Sequence, residues 1–134
     1  MKDYIPVKKR EAKAQTLWNQ YLRETRIPGF FELKIVTEGK SLPFSRIEKH
    51  QWDGLLAAEE NGLVWKLSDE DSRQKPCDCL SIPPLPAYLV IRYPEGFFYM
   101  IPIKNVVKIR DEGVISITED KAKEYAEKVV KLST

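Results

Sequence analysis

Between residues 8 and 24, Ala14, Leu17, Trp18, Tyr21 and Leu22 recur at helical spacing, and Pro28-Gly29 closes the segment. Phe30 to Val36 is rich in aromatic and branched residues and reads as a strand. Thr37 to Pro43 reads as a polar connection. Ser45 and Glu48 have capping-box spacing, so a second helix is predicted to open at Ser45, with Ile47, Trp52, Leu55 and Leu56 inward and Asn61-Gly62 at its end. Leu63–Leu67 and Cys77–Ile82 are short strand candidates around a charged loop, Ser68–Pro76. Ala87 to Tyr93 is almost continuously apolar, as a strand buried on both faces would be. Pro94-Glu95-Gly96 turns the chain into a further strand, Phe97–Ile103. A small hairpin, Val106–Ile109 with Val114–Ile117, and a last helix, Lys121–Leu132 capped by Thr118 or Asp120, complete the prediction. The pattern is that of a mixed α/β domain, a sheet of about five strands with helices packed on it.

Composition narrows this picture. A chain of 134 residues fits one domain, 1–134, and 43% hydrophobic content is too high for a disordered segment. Cys77 and Cys79 are poorly placed to bridge, and with one His they cannot complete a four-ligand structural zinc site. A reducing, intracellular and cytoplasmic setting is expected, since the N-terminus has no signal-peptide core and no run of 18 apolar residues occurs. Against 22 Lys and Arg stand 20 Asp and Glu, so any basic surface must be local.

The chemistry starts at Phe30-Phe31-Glu32-Leu33-Lys34-Ile35-Val36. Alternation places Phe31, Leu33 and Ile35 on one face of the strand and Glu32, Lys34 and Val36 on the other. A carboxylate and an ammonium thus stand side by side on a strand that otherwise reads as buried, where charge demands a partner or a metal. On this segment alone, an edge strand with one solvated face is the simpler account. Glu11 shares a helical stripe with Ala14, Trp18 and Leu22, either aimed into a site or merely favoured in the first helical turn. Asp78 lies in a short apolar segment after Pro76, as a strand acid or a turn residue. Lys8, Lys9, Arg10, Lys13, Lys40, Arg46, Lys49 and His50 could track a phosphate backbone, although a solvated helix start explains Lys8 to Arg10 equally well. There is no Gly-rich phosphate loop, nucleophile elbow or CxxC pair, and with a single His a Ser-His-Asp triad is not expected.

Taken in order, these segments resemble the PD-(D/E)XK nuclease superfamily, and within it the RecU-like Holliday-junction resolvases and small phage-type endonucleases. The likeness rests on Gly29-Phe30-Phe31-Glu32-Leu33-Lys34, Ser41-Leu42-Pro43-Phe44-Ser45, His50-Gln51, Trp65-Lys66-Leu67-Ser68-Asp69, Lys75-Pro76-Cys77-Asp78 and Ala87-Tyr88-Leu89-Val90-Ile91. It spans roughly residues 9–105, leaving the hairpin and helix of 106–134 outside. The resemblance implies a restriction-endonuclease-like mixed sheet and hydrolysis of DNA, branched DNA included, with Mg²⁺ or Mn²⁺. It implies Glu11, Glu32 and a motif Asp as metal ligands, with Glu32, Lys34 and Gln51 catalytic. It also implies a homodimer and an intracellular protein, of a kind that phages and viruses also encode. One departure stands out: no Asp occurs between Glu11 and Glu32, where the family places its motif Asp. Asp78, or alternatively Asp69, is expected to take that role from a later strand, giving a rearranged strand order. The competing expectation is a nuclease-like module that binds DNA or a protein partner without cleaving.

Overall fold

The structure is a computed structural model that describes residues 7–37, 39, 41–66 and 77–133, with residues 7 and 8 described for backbone only. Helix α1 (Val7–Thr25) buries Ala14 and Trp18 and packs Leu17, Tyr21 and Leu22 beside them, the stripe that the spacing predicts. It ends where Arg26 turns left-handed at φ 57°, its N–H still bonded to the Leu22 carbonyl at 2.8 Å.

Strand β1 (Phe30–Ile35) follows. After it come β2 (Ser41–Pro43), a single 3₁₀ turn (Phe44–Arg46), α2 (Lys49–Asn61), β3 (Leu63–Lys66) and β4 (Cys79–Ile82). The chain continues through β5 (Ala87–Arg92), β6 (Phe97–Pro102), α3 (Ile103–Asp111), β7 (Ser116–Thr118), α4 (Glu119–Tyr125) and β8 (Lys128–Lys131). The main sheet has four strands in the order β1-β5-β6-β8, with β1 parallel to β5 and the other pairs antiparallel. Its two inner strands are buried on both faces, which is why Ala87–Ile91 and Phe98–Ile101 read as nearly continuous apolar runs. On one face, Tyr88, Val90, Phe98 and Met100 meet Ala14 and Trp18 of α1. On the other, Leu89, Ile91, Tyr99 and Ile101 meet Leu55 of α2, Val106 and Ile109 of α3, and Leu42 and Ile117 of the β2–β7 ribbon. No helix among the described residues is long and apolar enough to cross a membrane.

Five expectations are corrected. The polar connection Thr37–Pro43 contains β2, which pairs antiparallel with β7. The second helix opens at Lys49, not Ser45, because Ile47 takes an extended conformation (φ −97°, ψ 106°) to bury its side chain. Glu48 then caps α2 in a reciprocal box with Gln51. The hairpin at 106–117 is instead helix α3, whose Ile103, Val106 and Ile109 are buried at three-residue spacing. The last helix stops at Tyr125; Thr118 does cap it, accepting from the Lys121 N–H, but Lys128–Lys131 pairs with the otherwise open edge of β6. Finally, β3 and β4 form a separate two-stranded ribbon, so Asp78, just before β4, does not join the sheet that carries Glu32. The main sheet accordingly has four strands and lacks the expected rearranged one. The charged loop, Ser68–Pro76, lies outside the described residues.

Candidate functional site

Among the described residues, β1 is an edge strand whose only ladder partner is β5. The Phe30 N–H bonds to the Pro86 carbonyl at 2.9 Å and the Val36 N–H to the Arg92 carbonyl at 2.8 Å. The even-numbered residues therefore bond toward β5, and the N–H and C=O groups of Phe31, Leu33 and Ile35 face the open side. Arg46 fits this alternation, since its Nη1 donates to the outward Ile35 carbonyl at 2.7 Å. The Leu33 carbonyl shares that open side.

Side chains alternate in the other direction. Phe31, Leu33 and Ile35 pack under α1, whereas Phe30 and Val36 join the core under α2. Glu32 and Lys34 lie between Phe30 and Val36 on the α2 face, both half-buried. The ends of this face are thus apolar anchors and its middle carries the two charges.

A cavity of about 240 Å³ opens along this edge. Glu32 and Lys34 line it from β1, Glu11 and Gln15 from α1, Arg46 from the 3₁₀ turn and Gln51 from the first turn of α2. Glu32 and Gln51 also line an adjoining hollow with His50. Four residues singled out in the sequence, Glu11, Glu32, Lys34 and Gln51, therefore converge. Gln15 was not foreseen; its only signal is that it follows Glu11 by one helical turn.

The partners of these side chains decide what the cavity offers. Gln51 Oε1 accepts from the Glu48 N–H at 3.0 Å, so its amide NH₂ is left for a ligand. Gln15 is complementary: its Nε2 donates to Asn19 Oδ1 at 2.9 Å, leaving Oε1 as an acceptor. Among the described residues, no hydrogen bond or salt bridge engages the side chain of Glu11, Glu32 or Lys34. Two carboxylates, an amide oxygen and an edge carbonyl make an all-oxygen donor set. Such a set suits Mg²⁺, which is held through one or two carboxylates and keeps several waters.

Other foreseen residues lie elsewhere. Asp78 is exposed in the bend before β4 and is not among the residues lining the cavity. No group of three or more His, Cys, Asp and Glu able to hold a metal occurs among the described residues. Asp69, Lys40 and the Lys8 side chain lie outside the described residues. Lys49 is spent along its own helix on Asp53 Oδ2 at 2.9 Å, a hydrogen bond that holds its ammonium above the usual lysine range. His50 Nδ1 lies 3.1 Å from Glu48 Oε2. Lys9 is exposed on α1, and Arg10 and Lys13 line a separate hollow. No protein-family model matches the chain, and a search of curated proteins returns no match.

Proposed function

We propose that this protein is a Mg²⁺-dependent DNA endonuclease that hydrolyses phosphodiester bonds, selective for branched structures like the Holliday-junction resolvases it resembles. The observation that carries the reading is the convergence of Glu11, Glu32, Lys34 and Gln51, from three separate elements, on one cavity at an open strand edge. Glu11 and Glu32 would hold the ion, with Gln15 Oε1 and the Leu33 carbonyl as neutral oxygen donors. When bound, Mg²⁺ supplies Lewis acidity, making a water more acidic and stabilising charge on the phosphoryl group.

The chain's own groups do the rest. The Lys34 ammonium, two residues from Glu32 on the same face, hydrogen-bonds the attacking water or the scissile phosphate. Arg46, anchored to the Ile35 carbonyl through one nitrogen, presents its remaining N–H groups to phosphate oxygens. The Gln51 NH₂ orients the backbone that enters over α2. Paired cuts across a junction require two copies, so a two-fold homodimer belongs to this reading, as does a nuclease-like classification of the mixed sheet.

The test is a gel assay on branched, duplex and single-stranded DNA, with and without Mg²⁺ or Mn²⁺. Glu32→Gln and Lys34→Ala should each lower cleavage by ~10²-fold or more while leaving the circular dichroism spectrum unchanged. Wild-type cleavage by both purified variants would refute the assignment. The second reading, a binding module without catalysis, is favoured by one observation: the cavity holds two carboxylates and Asp78 lies outside it. Calorimetric titration with Mn²⁺ separates the two, because a module without the metal centre gives no saturating heat.

A further inference from the structure

Opposite the acidic cavity, on the other flank of α1, lies a second hollow of about 170 Å³. Among the described residues, Arg10, Lys13 and Arg92 line it with Ala14 and Leu17, and none of these is a carboxylate. Arg92 is the last residue of β5 and pairs in register with Ile35, one step beyond the Lys34–Ile91 pair. It shares the α1 side of the sheet with Tyr88 and Val90, which alternation along β5 requires. Among the described residues neither Lys13 nor Arg92 has a salt-bridge partner. Lys13 and Arg92 thus bring two positive charges to one small hollow, and a bound anion relieves their mutual repulsion.

We propose that Arg10, Lys13 and Arg92 form a second phosphate subsite, which grips a backbone phosphodiester of the DNA strand whose scissile bond lies in the acidic cavity. The inference rests on the nuclease reading for the identity of the polyanion. The spacing follows from the helix between the two hollows. A helix with its side chains is ~10–12 Å across, so the two hollows lie too far apart to share one phosphate. The subsite therefore takes a neighbouring phosphate of the strand, not the one being cut. With aliphatic Ala14 and Leu17 beneath the cations, it holds backbone and reads no base.

The experiment measures binding of a fluorescein-labelled DNA duplex in EDTA, where no cleavage occurs, across a salt series. Lys13→Gln, at an exposed helix position, and Arg92→Gln should each weaken binding and reduce the slope of log affinity against log salt by ~0.9. Lys108→Gln, an exposed lysine on α3, serves as the net-charge control and should change neither. In cleavage assays the two subsite variants should raise KM and leave kcat near wild type. A neutral methylphosphonate walked along the phosphates flanking the cut should, at one position, weaken wild-type binding but not that of Arg92→Gln. Slopes unchanged in both variants, or an equal loss in Lys108→Gln, overturn the subsite even if wild-type DNA cleavage is robust. Slopes reduced in the two variants alone support it even if no DNA is cut, in which case only the nuclease reading falls.

Discussion

Trp18 joins the helix that carries Glu11 and Gln15 to the sheet that carries Glu32, and its replacement tests that joint. Its ring is buried, stacked on Phe98 with centroids 5.8 Å apart at 13°, and meets Phe31 edge-on at 5.8 Å. Trp18→Ala removes the largest side chain under α1 and should cost about 3–5 kcal/mol, a large share of a domain's usual ~5–15 kcal/mol. Trp18→Phe behaves differently because the indole Nε1–H is buried with no hydrogen-bond partner among the described residues. Removing that donor recovers about 1–3 kcal/mol, against roughly 1–2 kcal/mol for the lost ring area. The two effects nearly cancel, so Trp18→Phe should lie within about 1 kcal/mol of wild type. Urea unfolding followed by far-ultraviolet circular dichroism gives both numbers. Cleavage should fall in Trp18→Ala, where α1 loosens and takes Glu11 with it, and persist in Trp18→Phe. Equal destabilisation by the two variants, or a negligible cost for Trp18→Ala, would refute the reasoning.

Other outcomes follow from single contacts. Tyr93→Phe deletes a fully buried hydroxyl that donates to the Ile117 carbonyl at 2.7 Å, so it should cost about 1–3 kcal/mol in the same urea assay. Gly62→Ala should destabilise by more than ~1–3 kcal/mol: at φ 75° the backbone is left-handed, and a Cβ there would collide with the Ile82 carbonyl oxygen. A thermal melt of that variant shows the effect, and an unchanged midpoint would contradict it. Burial raises the hydroxyl pKa of Tyr88 to about 12, and Tyr93 and Tyr99 rise further for the same reason, Tyr99 also through its bond to Glu119. The sign is that of a folded-state pKa above the unfolded one. The stabilisation is complete below the ordinary tyrosine value of 10.0 and is lost as pH climbs from there through the folded values. Urea midpoints should therefore hold up to about pH 10 and fall from there toward about pH 12, and a flat profile would show that these hydroxyls are not held protonated by the fold.

The part of the site legible in the sequence is the part written in local periodicity. Glu32 and Lys34 betray themselves because two charges interrupt an alternating apolar strand. Glu11 stands out because it extends the Ala14–Trp18 stripe. Gln15 was readable by the same rule, one turn beyond Glu11. Helix α3 was not legible as a helix because Val106-Val107-Lys108-Ile109 has the branched composition of a strand, while its true signal is the three-residue spacing of Ile103, Val106 and Ile109. Strand β8 was hidden by the helix formers before it; the free edge of β6 that captures it is a tertiary fact. Asp78 failed for a different reason. Period and composition describe a segment's own conformation, and they carry no information on which strand it pairs with. Only the β3–β4 register does so.

The open side of β1 has a consequence for anyone altering its charges. An unpaired strand edge invites a strand from another molecule, and charged side chains on such an edge discourage that addition. Glu32 and Lys34 are the only charged residues between Phe30 and Ile35. Removing both would leave six uncharged residues, two of them phenylalanine, beside a row of free backbone groups. Higher-order species formed by such a double variant would be sheet extension created by the substitution, and should not be counted as evidence for a native dimer.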